Sequence, residues 1–257
     1  MKIKRYYFIV CLIFLSIFLI TDCIGFQYND RLNVRAASNT AHDEKVIYLT
    51  FDDGPSVITD EVLDILKTNN VKATFFLIGN QIEENKSTVK RIYDEGHSIG
   101  LHTCSHKIRK IYSNQNAFIK EMNNTREEIN GVVGIKPNII RFPQGSRKHL
   151  NKSMLKKLHE YNYKVYDWNI VISDGIRAKT PPEKLFREAT GGKDKPNPII
   201  LLMHCDYMHK NTCIALPGII NYYKQNGYEF KIITDDTPEL YFPISRKRNM
   251  AAFRGIV

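Results

Sequence analysis

The 257-residue sequence is poor in cysteine and tryptophan, with five and one of them, and it contains no CxxC pair. A disulfide-dense small domain and a zinc ribbon are therefore excluded. Glycine and proline occur at ordinary levels, 14 and 10 residues, which excludes collagen and low-complexity disorder. A chain of this length buries enough apolar surface to fold without a metal, so any metal site is expected to be catalytic rather than structural.

The few cysteines do not define a disulfide framework. Cys11 and Cys23 lie in or beside an apolar N-terminal segment. The other three, Cys104, Cys205 and Cys213, are an odd number. The sequence favours free, mostly buried thiols, and it leaves open one disulfide such as Cys104–Cys205.

One long apolar run is present, at residues 6–20 (YYFIVCLIFLSIFLI), directly after a basic segment at residues 1–5. This order is typical of a secretory signal, and the run is short for a helix that spans a membrane. Small residues at 36–37 offer a cleavage site but lie far from the run, so an uncleaved anchor is the alternative. We therefore expect a signal peptide or membrane anchor at 1–37, a linker at 38–44 and an extracytoplasmic catalytic part.

Positive charge exceeds negative charge, since 37 Lys and Arg stand against 27 Asp and Glu, a net charge of +10. The basic residues are dispersed along the chain, which favours a Lys-rich compositional background over a site for a polyanion. No nucleic-acid-binding motif is recognisable, so we expect no nucleic-acid partner. Residues 241–257 carry several basic residues and no acid, which predicts a basic and loosely held C-terminal tail.

Short β-rich runs alternate with helical patterns from residue 45 onwards. Strands are predicted at residues 46–51, 73–78, 98–101, 138–140, 164–168, 198–203 and 229–233. Helices are predicted from a cap at Thr59 or Asp60, and at residues 81–95, 114–130, 149–161, 182–189 and 215–226. This alternation predicts an α/β domain with a mostly parallel sheet, closed into a barrel or nearly so.

Chemically distinctive polar residues follow several of these strands, where the active sites of β/α barrels lie. Asp52 and Asp53 follow the first strand, so one can bind a metal while the other acts as a base, although alone they also fit an ordinary Asp-Gly turn. His102 and His106 follow the third strand and can bind one cation. With one Asp they form a set that leaves metal positions open for water and substrate.

A second group of polar residues belongs to the same predicted rim. His204 ends a buried strand and is a candidate general acid. Such a histidine needs an acidic partner to fix its tautomer, and Asp174 is the candidate. Arg141 can pair with Asp52 and keep that carboxylate ionised. Together these residues indicate a hydrolase in which a metal activates water and a separate base and acid move the protons.

Five segments resemble the motifs of polysaccharide deacetylases of carbohydrate esterase family four, in family order and at family spacing. They are residues 50–55 (TFDDGP), 102–106 (HTCSH), 141–145 (RFPQG), 202–204 (LMH) and 215–217 (ALP). One such match can arise by chance, whereas all five together are specific. The resemblance covers roughly residues 45–240 and identifies them as a single catalytic domain of this family.

This resemblance implies a distorted (β/α) barrel of about seven parallel strands and the hydrolysis of an N-acetyl group on an amino sugar. It also implies a divalent metal, Zn²⁺ first and Co²⁺ or Mn²⁺ as alternatives. The implied site residues are the metal ligands Asp53, His102 and His106, the base Asp52 with its partner Arg141, the acid His204 with its partner Asp174, the backbone N–H of Gln144 for the oxyanion, and Pro143, Trp168 and Leu202 along the groove.

The sequence departs from the family pattern at two positions beside the expected site. Asp174 is followed by Gly175, where many members have a tryptophan that forms a wall of the groove, and Trp168 lies upstream. His204 is followed by Cys205, where aspartate is frequent. Neither change removes a proposed ligand, acid or base, so we expect them to affect substrate preference more than activity.

The export segment, the composition and the habits of the family favour a peptidoglycan N-acetylglucosamine deacetylase that acts on glycan strands of the cell wall, as a secreted or membrane-anchored monomer. Deacetylation of N-acetylmuramic acid or of chitooligosaccharides is the alternative within the same reaction class. A non-catalytic glycan-binding member is the alternative outside it. Such members lose the first aspartate or a metal histidine, and Asp52, His102 and His106 are all present here.

Overall fold

The computed structural model describes residues 44–244. The predicted signal or anchor at 1–37, nearly all of the linker at 38–44 and the tail beyond residue 244 lie outside the described residues. Within residues 44–244, no helix has both the length and the apolar character needed to cross a membrane.

The strands form one sheet in which all described pairings are parallel. Its members are β1 (Val46–Gly54), β2 (Thr74–Leu77), β3 (Ser98–Leu101), β4 (Ile139–Ile140), β5 (Lys164–Val165), β6 (Ile170–Val171), β7 (Ile199–His204) and β8 (Glu229–Lys231). Their order is β5-β4-β3-β2-β1-β7-β6, and β8 pairs with the start of β1. The predicted distorted barrel of about seven parallel strands is confirmed.

Two strand predictions need correction. The two-residue strand β6 was not predicted, because Ile170 and Val171 give too short a run to be told from a loop. The predicted strand 164–168 ends at Val165. Trp168 consequently lies beyond β5, in the segment that leads to β6.

Helices connect most of the strands. They are α1 (Val57–Thr68), α2 (Lys86–Asp94), α3 (Ile108–Ile111), α4 (Gln115–Val133), α5 (Lys152–Glu160), α6 (Pro182–Thr190) and α7 (Lys210–Gln225). The predicted cap of α1 at Thr59 or Asp60 is wrong. The N-cap is Ser56, whose Oγ accepts a hydrogen bond from the backbone N–H of Ile58.

Among the other helix boundaries, two differ most from the predictions. Helix α7 begins at Lys210 rather than at residue 215, and Pro217 lies inside it. The segment predicted as a helix at 81–95 starts with two 3₁₀ turns, Gly79–Gln81 and Glu83–Asn85, before α2. Both boundaries fall where side-chain and loop contacts, rather than periodicity, decide the backbone conformation.

Strand β1 lies in the middle of the sheet, between β2 and β7. Ile47, Leu49 and Phe51 are fully buried. At its carboxyl end, Asp52 is paired in register with Phe76 on β2 and with His204 on β7. Because the carboxyl ends of parallel strands meet at one edge of a sheet, β1 and its neighbours bring their terminal polar residues together.

Candidate active site

Three side chains from the ends of β1 and β3 converge on one point. The Nε2 atoms of His102 and His106 each lie 3.4 Å from Oδ1 of Asp53. One ligand atom from each of these residues lies within 4.8 Å of the others. Asp53 and His106 both have left-handed backbone conformations, with φ of 67° and 50°. Such conformations cost energy for residues other than glycine, and they aim these two side chains at the common point.

The donor set of this cluster fits a divalent metal ion. Oδ1 of Asp53 is buried and has no hydrogen-bond partner among the described residues. Nδ1 of His102 lies 3.0 Å from the backbone carbonyl of Arg141, so it carries the proton and leaves Nε2 as a free lone pair. Burial also lowers the pKa of His102, against the raising effect of the nearby aspartates. A neutral imidazole and an unpartnered carboxylate oxygen are what a metal requires.

A buried carboxylate supports the loop between the two histidines. Glu121 on α4 accepts hydrogen bonds from the backbone N–H groups of Cys104 (3.1 Å) and Ser105 (2.7 Å). Its other oxygen lies 2.8 Å from Nζ of Lys110. Sequence analysis missed Glu121, because it lies on a polar helix among several other acids.

Asp52 is held next to the cluster of Asp53, His102 and His106 by a buried arginine. Nη1 of Arg141 donates to Oδ1 of Asp52 (3.0 Å) and to Oγ1 of Thr50 (2.7 Å). The other guanidinium nitrogens donate to the backbone carbonyls of Tyr166 and Asp167. Arg141 is fully buried, and all these partners are acceptors, so the guanidinium remains a fixed positive charge beside Asp52. Oδ2 of Asp52 is 3.7 Å from Nε2 of His102, and therefore faces the cluster.

His204 is paired with Asp174 as the sequence predicts. Nδ1 of His204 donates to Oδ1 of Asp174 (3.0 Å), and the backbone N–H of His204 donates to Oδ2 (2.9 Å). The backbone N–H of Gly175 and the hydroxyl of Thr212 complete the shell of this carboxylate. The Asp174 carboxylate is therefore fully satisfied, and it fixes the His204 tautomer so that Nε2 is the free ring nitrogen.

The pKa of His204 is raised to about 9. Burial opposes this shift, but the hydrogen bond and charge of Asp174, with the charges of Asp52 and Asp53, outweigh it. The imidazole is therefore protonated at neutral pH, which is the state that a general acid needs at the start of a reaction.

Gly175 allows its backbone to lie directly against the His204 ring. A Cβ atom added at Gly175 would be 2.3 Å from Cε1 and 2.7 Å from Nε2 of His204. No side chain fits in that space. Many family members have a tryptophan at this position. Here Gly175 has no side chain, and its backbone packs closely on the imidazole of His204 instead.

The loop after β4 carries the predicted oxyanion donor. Gln144 is exposed, with a left-handed φ of 64°, and the preceding Pro143 is buried. The hydroxyl of Tyr112 donates to the Pro143 carbonyl (2.7 Å), and the Tyr112 ring stacks on His149. The loop is therefore held rigidly on one side, which is what a preorganised backbone donor requires.

A fully buried aspartate that sequence analysis missed holds the other side of this loop. Asp167 accepts hydrogen bonds from the backbone N–H and hydroxyl of Ser146 and from the backbone N–H of Phe242 (2.7 Å). The Phe242 ring packs edge-on against Trp168, with centroids 5.2 Å apart. Both rings would touch a Cβ atom at Gly145. Trp168 therefore borders the loop, together with Phe242 from the segment predicted as a loose tail.

The other predicted site residues and the cysteines have clear positions. Leu202 lies within β7 and is 4% exposed. Cys104, Cys205 and Cys213 are all free thiols, so the Cys104–Cys205 disulfide that the sequence left open is not formed. Cys205 is buried, and Cys104 is half-buried.

A cavity of about 640 Å³ adjoins the cluster and is bordered by its members Asp53 and His106. Its other lining residues are mainly uncharged and include Asn80, Gln81 and the exposed Tyr207. With its amide oriented to donate, Gln81 reaches the backbone carbonyl of Asp53 at 3.2 Å. The cavity provides amides, hydroxyls, carboxylates and an aromatic ring, which are groups that bind polar ligands with apolar faces.

Comparisons with known proteins identify relatives of this chain. A family model for polysaccharide deacetylases matches residues 39–166. The peptidoglycan-N-acetylglucosamine deacetylase of Bacillus cereus is 36% identical over 207 residues, which cover 79% of this chain and 73% of the relative. The peptidoglycan-N-acetylmuramic acid deacetylase of Bacillus subtilis is 30% identical over 194 residues, 75% of this chain and 71% of the relative.

Solved structures give the same result. The crystal structure of a polysaccharide deacetylase from Bacillus cereus superposes with a TM-score of 0.70 at 35% identity, covering 80% of this chain and 98% of that one. The resemblance inferred from the five motifs is thereby confirmed, and it extends over most of the catalytic unit. The chain belongs to the polysaccharide deacetylase family.

Proposed function

We propose that the protein is a metal-dependent hydrolase that removes N-acetyl groups from N-acetylglucosamine in peptidoglycan. The observation that carries this proposal is the convergence of Asp53, His102 and His106 around a buried, unpartnered carboxylate oxygen, beside the paired residues Asp52 and His204. The choice of sugar and polymer is supported by the name of the Bacillus cereus relative and by the predicted export segment.

The metal would be held by Asp53, His102 and His106, and Zn²⁺ is our first assignment, with Co²⁺ or Mn²⁺ as alternatives. A divalent ion bound there supplies a Lewis acid that polarises the acetyl carbonyl and makes water acidic enough to be deprotonated near neutral pH. Two imidazoles and one carboxylate are the ligand set of several catalytic zinc sites, which is the basis for placing zinc first.

Asp52 and His204 are the proposed proton carriers. Asp52 accepts a proton from the attacking water at Oδ2, since Oδ1 is bound to Arg141. His204 donates a proton from Nε2 to the departing nitrogen of the sugar, and Asp174 stabilises the imidazolium through Nδ1. Because β1 and β7 are neighbours, the base and the acid face the same space from adjacent strands.

The remaining residues position the acetyl group and the glycan. We assign the backbone N–H of Gln144 as the donor to the oxyanion that develops on the acetyl oxygen. Trp168 and Phe242 form an aromatic wall beside that loop. Aromatic rings of this kind stack on the apolar faces of sugars, so this wall is our proposed contact for the glycan strand.

A specific observation favours one second candidate within the same reaction class. The Bacillus subtilis relative is named as acting on N-acetylmuramic acid, and Gly175 gives the site a wall that differs from the common family pattern. Deacetylation of N-acetylmuramic acid is therefore the alternative, followed by chitooligosaccharides. Action outside the cytoplasm, in the wall or at the membrane, and a monomeric state are part of the proposal.

Acetate release from purified peptidoglycan tests the proposed reaction. We expect release by the full-length protein with Zn²⁺, loss of release after chelation, and recovery when Zn²⁺ is returned. Mass spectrometry of muramidase-digested product is expected to place the free amine on glucosamine, whereas a free amine on muramic acid would establish the alternative. A protein that binds zinc but releases no acetate from peptidoglycan, chitooligosaccharides or acetylated xylan would contradict the proposal of an enzyme.

Substitution of Gly175 tests whether the close packing on the acid is required for turnover. Gly175→Ala is expected to displace the His204 ring and to lower kcat by about 10- to 100-fold, because small misplacements of a catalytic group are costly. Zinc content should not change, since Gly175 touches no proposed ligand. Gly131→Ala is the matched control, because a Cβ atom at Gly131 meets nothing within 4 Å. Equal kcat values for the two variants would show that the packing has no catalytic role.

A further inference from the structure

A second histidine lies against the proposed acid and is not part of any motif noted in the sequence. The ring of His209 stacks on that of His204, with centroids 5.3 Å apart and planes inclined by 26°. His209 is 5% exposed. It directly precedes α7, in the segment that follows His204. His209 is therefore buried directly beside the proposed acid His204.

Both ring nitrogens of His209 face oxygen atoms that only accept hydrogen bonds. Nδ1 lies 2.7 Å from Oδ1 of Asp206, and Nε2 lies 3.3 Å from the backbone carbonyl of Asp174. Each nitrogen must carry a proton to satisfy its partner, and an imidazole with two N–H groups is a cation. Burial lowers the pKa of His209, but the hydrogen bond and the charge of Asp206, with the charge of Asp174, together outweigh burial and raise it.

A metal ion is the competing interpretation, since Asp174, His204 and His209 offer ligand atoms within 4.8 Å of one another. The hydrogen bonds argue against it. Both oxygens of Asp174 already accept from N–H or O–H donors, and both nitrogens of His209 are used as donors. A metal would have to displace these bonds, whereas the imidazolium satisfies all of them.

We propose that His209 is a positioning residue for the acid: a buried imidazolium that holds the His204 ring and, by its charge, makes His204 a readier proton donor. This inference rests on the proposed function, in which His204 protonates the leaving nitrogen. The proposal gives the segment after β7 a role in positioning the acid, since Asp206 and His209 of that segment form an ion pair next to His204.

The charges around His204 explain why such a cation matters. The titratable groups that face the two rings are the carboxylates of Asp52, Asp53, Asp174 and Asp206, and the proposed metal would neutralise the charge of Asp53. These carboxylates stabilise the protonated form of His204, so they raise its pKa and oppose release of its proton. A positive charge 5.3 Å away acts in the opposite direction. Without it, the pKa of His204 should rise, and the acid should hold its proton to higher pH.

The experiment is a titration of His204 by NMR in zinc-loaded, ¹⁵N-histidine-labelled full-length protein, together with the pH profile of kcat. His209→Gln keeps a donor for Asp206 and removes the charge, and His209→Lys keeps the charge. We expect His209→Gln to move the titration of His204 and the basic limb of the kcat profile to higher pH by about one unit. His209→Lys should remain within a few tenths of a unit of the wild type.

The controls separate charge from general damage. His159→Gln replaces an exposed histidine paired with Glu239, and it should leave both profiles unchanged. A His209→Gln protein with an unmoved His204 titration would overturn the proposal, even if its Tm or KM changed. A shift in His209→Lys as large as that in His209→Gln would also overturn it. If the wild type itself releases no acetate, the proposed function fails, but the NMR titration still decides the role of His209.

Discussion

Replacement of Asp52 by asparagine is expected to abolish most acetate release while the metal site stays loaded. The asparagine side chain would keep an oxygen for the hydrogen bond from Nη1 of Arg141, but it has no carboxylate to take a proton from water. Loss of a general base lowers turnover by about 10²- to 10⁴-fold. Asp53, rather than Asp52, carries the unpartnered oxygen 3.4 Å from both imidazoles, so zinc should remain at one ion per chain.

The measurements for this variant are kcat for acetate release and zinc content by mass spectrometry on the same sample. Asp94→Asn serves as the matched control, because Asp94 is an exposed carboxylate paired with Lys90 on the surface. Stability should fall, since the fully buried guanidinium of Arg141 loses its charged partner. If Asp52→Asn binds no zinc, the division of roles between the two aspartates is wrong.

Replacement of His102 by alanine is expected to remove metal and activity together. Its Nε2 is one of three proposed ligands, and Asp53 and His106 alone would leave a two-ligand site. Even loss of groups that only orient ligands costs about 10- to 100-fold in metal affinity, so loss of a ligand should exceed about 100-fold. The buried carbonyl of Arg141 also loses its donor, which should lower the free energy of unfolding by about 1–3 kcal/mol.

Zinc binding by calorimetry, with acetate release and Tm on the same preparations, checks this expectation. His159→Ala is the control, since that side chain is 46% exposed. Stoichiometric zinc in His102→Ala with affinity close to that of the wild type would contradict the ligand assignment. Loss of activity with normal zinc content would instead indicate that His102 takes part in proton transfer and is not a metal ligand.

Much of the fold and most of the candidate site follow from local sequence features. Strands such as β1 and β7 are continuous apolar runs that end in polar residues, and the polar positions that follow parallel strands must share one edge of the sheet. The motifs place Asp53, His102 and His106 on that edge, and the structure brings the three together. The pairs Arg141–Asp52 and Asp174–His204 were also predicted, and both are in contact.

The residues that sequence analysis missed act through contacts between distant segments. Glu121 on α4 holds the loop between His102 and His106, and Asp167 joins the loop after β4 to Phe242. His209 has a role only because its ring lies on His204. No periodicity or spacing marks such residues, because a single buried carboxylate or imidazole in a polar stretch looks like a surface residue.

The C-terminal boundary of the domain also depends on contacts between distant segments. The motif resemblance predicts a catalytic domain at roughly 45–240, and the basic composition of 241–257 predicts a loosely held tail. The structure shows that Phe242 is bound through its backbone to Asp167 and through its ring to Trp168, with Arg147 lying over the same ring. Composition does not show this, because it records which residues a segment contains and not which partners their rings and backbones contact.

The central position of β1 also governs the order in which the protein can be assembled. One neighbour, β2, is made soon after β1, but the other, β7, is made much later, since Phe51 pairs with Met203. Contacts between such distant segments form slowly, because a long loop must first be closed. A nascent chain therefore holds β1 with one edge unpaired until residues 199–204 have left the ribosome. Asp52 and His204, the proposed base and acid, come together only when β7 pairs with β1, so the proposed site forms late in synthesis.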